Sequence, residues 1–138
     1  KKFKEENLDL LISSRYLEGS KVLNWSFNRR LFSHLANFLT RLFLGVPVSD
    51  YTNGFRIYSR KAATHITQNC GLIGNGFMIL SEILVELYYN KFKVAETKTI
   101  WRNRIRGKST VTLKLILKSL IELFKIYKRK KMIGSKRL

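Results

Sequence analysis

The 138-residue sequence predicts one α/β layered domain. Segments with helical apolar spacing alternate with short runs of strand composition. Hydrophobic residues make up 45% of the chain and aromatics 12%, enough for a single core and far from the profile of a disordered chain. A third observation bears on partners. Twenty-seven Lys and Arg stand against nine acids, a net charge of +18, which implies nucleic acid, a phosphorylated substrate or an anionic membrane surface.

Leu8 to Ile12 reads as the first strand, followed by a polar loop from Ser13 to Asn24. A domain that opens on a buried strand needs neighbours for it, so the sequence is expected to be the carboxyl-terminal part of something longer. Ser26 is placed to cap a helix from Phe27 to Leu44, in which Leu31, Leu35, Phe38, Leu39 and Leu42 recur at helical spacing. Gly45 ends it and Pro47 prevents its resumption. In Ser49 to Tyr58, Asn53-Gly54 supplies residues that tolerate positive φ, and Phe55 to Tyr58 then alternates as a half-buried strand does. A helix from Lys61 to Asn69, a passage through Gly71, Gly74 and Gly76, and a helix from Phe77 to Tyr89 follow. Phe92 to Trp101 reads as a strand and Arg102 to Ser109 as a basic loop. The last helix runs from Thr110 to Arg129. It joins an apolar stripe (Leu113, Ile116, Leu117, Leu120, Leu123, Phe124) to a basic back, which suits either a membrane interface or a helix packed on its own domain. No apolar run approaches the ~20 residues needed to cross a bilayer.

Several chemistries are poorly supported. His34 and His65 lie in different elements as helix-surface residues. Cys70 is the sole cysteine, so no intrachain disulfide forms, and no His/Cys spacing matches a zinc site. Neither a Walker loop, a dinucleotide glycine fingerprint nor a nucleophile elbow is present.

An arginine constellation remains. Arg15 follows the first strand, where a sheet opens to a crevice. Arg29 and Arg30 occupy the first turn of the long helix, against its positive dipole end, a placement that makes sense if an anion sits there with them. Ser33, one turn on, offers a hydroxyl, and Arg104 lies in the loop after Trp101. Guanidinium forks match phosphate oxygens bidentately. Asp50 is one of two aspartates and admits two readings: a turn residue solvated and capping backbone N–H groups, or a carboxylate placed beside Arg56. Glu82 sits on an apolar helix face, where a glutamate is usually neutralised by an arginine or lysine.

These residues, in this order, resemble the family 2 glycosyltransferases acting on polyprenyl phosphates, dolichol-phosphate mannosyltransferases above all. Leu8 to Tyr16 is similar to D-L-V-I-G-S/T-R-Y. Trp25, Arg29, Arg30, Ser33, Ala36 and Asn37 resemble W-x-x-x-R-K/R-x-x-S-x-x-A-N, and Ser49 to Tyr58 resembles S-D-x-T-x-x-F-R-x-Y. Gly76-Phe77 and Glu82 are similar to G-Y-x-F-Q-x-E, and Trp101 to Ser109 to F-x-x-R-x-x-G-x-S-K. The resemblance covers Leu8 to Thr110.

It implies the carboxyl-terminal half of a GT-A-like layered domain: residues 1–109 as the acceptor side, and 110–138 as a basic amphipathic interface helix and tail. The implied reaction is inverting transfer of mannose, or alternatively glucose, from GDP-mannose or UDP-glucose to a polyprenyl or dolichyl phosphate. By the match, Arg15, Arg29, Ser33 and Arg104 bind the acceptor phosphate or donor pyrophosphate, with Arg30 and Ser109 beside them. Asp50 orients the sugar or the binding loop, and Asp50 and Arg104 are the implied catalytic pair. Arg56 and Glu82 are supporting residues, Glu82 through an arginine. Departures are Thr110 in place of the terminal lysine, Glu96-Thr97-Lys98 for E-V-P, and Ile79-Leu80 for F-Q.

The family's donor half, with the D-x-D motif that holds Mg²⁺ or Mn²⁺, would lie upstream of Lys1, so no metal ligand is expected in this chain and the isolated chain is expected to be inactive. Membrane association at the cytosolic face is implied. The competing reading is a non-enzymatic basic module binding nucleic acid or an anionic membrane. Against nucleic acid, Phe32, Phe38, Phe43, Phe55 and Phe77 fall at core-like spacings.

Overall fold

The structure, a computed structural model, describes residues 1–74, 76–102 and 113–135. Ten elements follow one another: α1 (Lys2–Glu5), β1 (Leu10–Ser14), β2 (Lys21–Leu23), α2 (Phe27–Leu44), β3 (Arg56–Tyr58), α3 (Arg60–Asn69), α4 (Met78–Tyr89), β4 (Val94–Lys98), β5 (Ile100–Arg102) and α5 (Leu113–Ser135). The predicted alternation of helix and strand is present.

β1 is the central strand of a three-stranded sheet of order β3-β1-β4. It runs antiparallel to β3, pairing Leu11 with Ile57, and parallel to β4, pairing Leu10 with Val94 through Ser14 with Lys98. All five β1 residues are buried, as a strand covered on both faces requires. It begins two residues later than the Leu8 start predicted, because α1 occupies the preceding turn and Leu8 N–H donates to Phe3 O.

The predicted 92–101 strand is two strands in different sheets. β4 pairs with β1, whereas β5 pairs in parallel with β2, placing Val22 opposite Trp101. β2 lies in the segment expected to be loop. Its three residues carry no legible alternation, and only the partner 79 positions away defines it.

α2 has the predicted bounds. Gly45 closes it in the left-handed region (φ 67°), its N–H donating to Arg41 O. Ser26 stands at the N-cap, but its side chain makes no cap bond. Ser59 does cap α3, accepting from Ala62 N–H.

α2 is turned opposite to expectation. Its buried residues are Asn37, Thr40 and Leu44, while Phe27, Leu31, Leu35, Phe38 and Leu42 are exposed at 76%, 58%, 52%, 62% and 68%. Phe32, Phe43, Phe55 and Phe77 are exposed as well, so the core-like spacings do not mark core positions. The core is built from Leu10 and Ile12 of β1, Leu44, Val46, Tyr51, Leu84, Val85 and Leu87, with Leu123 and Ile126 reaching in from α5. α5 therefore packs on the domain and still exposes Leu117, Leu120, Ile121 and Phe124. It also runs six residues beyond the expected end at Arg129.

Candidate active site

β1 ends with its backbone pointing at the segment between α2 and β3, and Arg15 is the first side chain past it. Its Nε donates to Asp50 Oδ2 at 2.7 Å and its Nη2 to Oδ1 at 2.7 Å, a bidentate pair. The Arg15 backbone N–H adds a bond to Oδ2, and Nη2 also reaches Thr52 Oγ1 at 2.8 Å. Asp50 is fully buried, and its Oδ1 further accepts from the Thr52 and Asn53 N–H groups. Burial alone would lower the Arg15 pKa, but the Asp50 hydrogen bond and charge outweigh it and the guanidinium is held above its ordinary value.

Asp50 thus caps backbone N–H groups as a turn residue does, but it is buried rather than solvated, and its ion pair is with Arg15 and not with Arg56. Arg56 instead donates to three carbonyls, those of Asn53, Leu80 and Tyr51, and burial pushes its pKa down. It staples the loop to α4. Asn53 and Gly54 do not take positive φ; the Asn53 side chain shapes the turn by donating to Ser13 O and accepting from Phe55 N–H.

Glu96 of β4 holds the same loop from below. Its two carboxylate oxygens accept from Ser49 N–H (2.8 Å) and Asp50 N–H (3.0 Å). From α2, Asn37 ties the loop to the helix: Oδ1 accepts from Tyr51 N–H at 2.8 Å, while Nδ2 donates to Ser33 O and lies within 3.4 Å of Tyr16 Oη and Thr52 Oγ1. Tyr16 Oη and Ser33 Oγ share a 2.6 Å hydrogen bond. Burial raises the Tyr16 pKa, opposed by Ser33 and the Arg15 charge, so the phenol stays neutral.

Around the Arg15 guanidinium stand the rings of Trp25 (5.2 Å), Tyr16 (5.5 Å) and Trp101 (5.8 Å). Arg29 lies over Trp25 as well, at 4.8 Å, so one indole spans two cations. The Trp25 Nε1–H is buried and has no acceptor among the described residues. Arg29 and Arg30 are exposed, and Arg30 Nη2 approaches Val22 O at 3.4 Å. A cleft of about 370 Å³ opens here, lined by Arg15, Tyr16, Trp25, Arg30 and His34 among others.

The fold thus gathers Arg15, Arg29, Arg30, Ser33 and Asp50 at the carboxyl end of β1 and the amino-terminal half of α2. Glu82 is elsewhere. Its Oε2 accepts from Gly74 N–H and its Oε1 has no partner among the described residues, so it braces the glycine passage and pairs with no arginine among the described residues. Arg104 and Ser109 lie outside the described residues, as does the 109/110 domain boundary. Tyr16, Asn37 and Thr52 had no separate sequence signal beyond standing within the motifs, and Glu96 stood out only as part of a departure.

Among the described residues no group of three or more His, Cys, Asp or Glu side chains could hold a metal ion, and no helix is long and apolar enough to cross a membrane. His65, expected on a helix surface, is half-buried, with Nε2 3.0 Å from Glu86 Oε1.

No family model matches the chain. It is 32% identical over 104 residues to a polyprenol monophosphomannose synthase of Mycolicibacterium smegmatis, covering 75% of this chain and 39% of that protein. It is 33% identical over 122 residues to a dolichol-phosphate mannosyltransferase of Pyrococcus furiosus, covering 87% of this chain and 33% of the relative. The chain therefore spans well under half the length of the curated relatives it matches.

Proposed function

We propose that this chain, a homologue of polyprenol- and dolichol-phosphate mannosyltransferases, forms the acceptor side of an enzyme that moves mannose from a nucleotide sugar to a polyprenyl phosphate with inversion. The observation that carries the reading is the meeting of Arg15, Arg29 and Arg30 around Trp25, from segments 14 residues apart, beside a loop locked by Asp50.

The chemistry asks little of a general base. A phosphate monoester with second pKa ~6 is mostly dianionic near neutrality and is already a nucleophile. One of its oxygens attacks C1 of the sugar while the bond from C1 to the nucleoside diphosphate breaks. The bonding pair leaves with the diphosphate, and attack from the opposite face inverts C1. The barrier lies in bringing two anions together, which guanidinium groups fixed in advance reduce. Arg29 and Arg30, exposed at the positive end of α2, are the cations set to meet the acceptor phosphate, and Ser33 adds a hydroxyl. Arg15 is charge-balanced by Asp50, so its part is orientation through a rigid bidentate frame. A divalent cation serving the parent enzyme would draw its ligands from residues other than those described.

The polyprenyl tail needs an apolar path. The exposed stripe of α2 faces solvent next to that of α5, and between the helices runs an apolar groove of about 220 Å³ lined by Phe32, Leu35, Leu39, Phe77, Leu120 and others. From Leu31 to Phe38 the exposed apolar residues of α2 are leucines and phenylalanines with no Lys or Arg between them, which fits hydrocarbon better than stacked bases. The face of the membrane is taken to be cytosolic, since a nucleotide sugar is the donor.

The test is transfer of radiolabel from GDP-mannose and from UDP-glucose to polyprenyl phosphate by the full-length parent. Arg29→Ala should lower kcat/KM for the acceptor by roughly 10–100-fold, the worth of a charge-assisted phosphate contact, and Arg15→Ala should do at least as much. Unchanged transfer in both variants would remove the arginine cluster from the reaction, and transfer from UDP-glucose alone would replace mannose with glucose.

A further inference from the structure

A second cleft, of about 590 Å³, shares no lining residue with the Arg15 cleft. It lies between α5 and the carboxyl ends of α3 and α4. Its inner wall is charge-balanced: buried Glu86 accepts from Arg129 Nε at 2.9 Å and from Asn90 Nδ2 at 2.9 Å, and meets His65 at 3.0 Å. Arg129 also donates to Asn69 O. The rim is not balanced. Lys125 and Lys128 line it, both exposed, with no carboxylate other than Glu86 in the lining.

The same face of α5 changes character along its length. Leu117, Ile121 and Phe124 are exposed at 55%, 60% and 53%; Lys125 and Lys128 follow; Met132, exposed at 60%, comes next and lines the cleft. The Lys128 ammonium stands 4.8 Å from the Phe124 ring, at the junction of the two regions. Residues three apart on a helix are neighbours, with Cβ atoms ~5–6 Å apart, so two ammonium groups can share one phosphate. Two other basic residues of this segment are tied into the fold: Arg129 by Glu86, and Lys130 by donating to Phe43 O.

We infer that this cleft is a discrete binding site for the phosphate headgroup of an anionic membrane phospholipid, whose acyl chains lie along Phe124, Ile121 and Met132. Lys125 and Lys128 take the phosphate, and Glu86–Arg129 holds α5 at the right distance from α3 and α4 to keep the cleft open. The site rests on the membrane-facing reading of α5 proposed above and not on which sugar moves.

The test compares two charge-matched pairs on one face of α5, Lys125→Gln with Lys128→Gln, and Lys114→Gln with Lys118→Gln, using the chain and vesicles of phosphatidylcholine with or without phosphatidylglycerol. Diffuse attraction of about five-fold per lysine predicts an equal loss of roughly thirty-fold for both pairs. A headgroup site predicts a loss at least about ten-fold greater for the Lys125 and Lys128 pair, since hydrogen-bonded charge is lost as well. Equal losses overturn the site but leave membrane binding standing; no binding of the unmodified chain overturns both. As a second readout, water-soluble short-chain phosphatidylglycerol should shift the Arg129 Nε and His65 signals saturably. The same shifts with inorganic phosphate at equal concentration would make it a free-anion site and overturn the lipid assignment.

Discussion

Arg15 and Asp50, 35 residues apart, form a bidentate ion pair with both contacts at 2.7 Å, and the Asp50 side chain is wholly buried. The pair joins the end of the central strand to the loop after α2. Asp50→Asn keeps the shape but leaves Arg15 with no ionised partner in a site only 9% exposed on its side chain. Loss of one member of a buried pair costs about 3–5 kcal/mol, so urea denaturation should show destabilisation of that order. Asp50→Asn combined with Arg15→Met should recover part of it, because the stranded charge is gone.

Asn37 is a positioning residue, bonding to Tyr51, Ser33, Tyr16 and Thr52 without reaching the arginines. Asn37→Asp retains the oxygen that accepts from Tyr51 N–H and replaces the donating nitrogen. In the parent enzyme, kcat should fall by about ten-fold or more with less change in the acceptor KM. A change in KM alone would assign Asn37 to binding.

Gly74 is required for close approach. A Cβ there would lie 2.7 Å from Ile79 N and Met78 C, backbone atoms at the start of α4, and Gly74 N–H is the donor to buried Glu82. Gly74→Ala should cost about 1–3 kcal/mol in chemical denaturation, whereas Gly134→Ala, with open space around it, should not destabilise.

The Cys70 thiol is pushed up to about 12, first by burial and then by the Glu86 and Glu82 charges. Its pKa is raised in the folded state, so the folded form holds its proton more tightly than the unfolded form. The resulting stability is full below the unfolded value of ~8.5 and is lost as pH rises toward 12. Between pH 9 and 11, Cys70→Ala should flatten the decline of unfolding free energy, and the native thiol should react slowly with iodoacetamide at pH 8.

Phe27, Leu31, Phe38 and Leu42 of the exposed α2 stripe are not among the described residues that form or pack against the core. Phe27, Leu31, Phe38 and Leu42 changed to Gln should shift folding stability by no more than about 0.5 kcal/mol each, yet reduce binding to neutral vesicles. A large stability loss would instead place the stripe inside the folded protein.

Much of this was legible in the residue order. The bounds of α2, the left-handed stop at Gly45, the clustering of arginines after the first strand and at a helix start, and the balance of helix and strand all follow from signals within a few residues. Helix stops and local periodicity are short-range physics and are readable from the chain, whereas the predicted Ser26 cap bond and the positive φ at Asn53-Gly54 were not formed. What only the tertiary structure decided are the relations across long separations. Asp50 chose Arg15 over Arg56, Glu96 became the cradle of its loop, and β2 found β5. Periodicity announced two unlike faces on α2 without saying which is inside. Asn37 and Thr40 went inward because Tyr51, Ser33 and Ala36 met their hydrogen-bonding needs there, and a satisfied polar group costs little to bury.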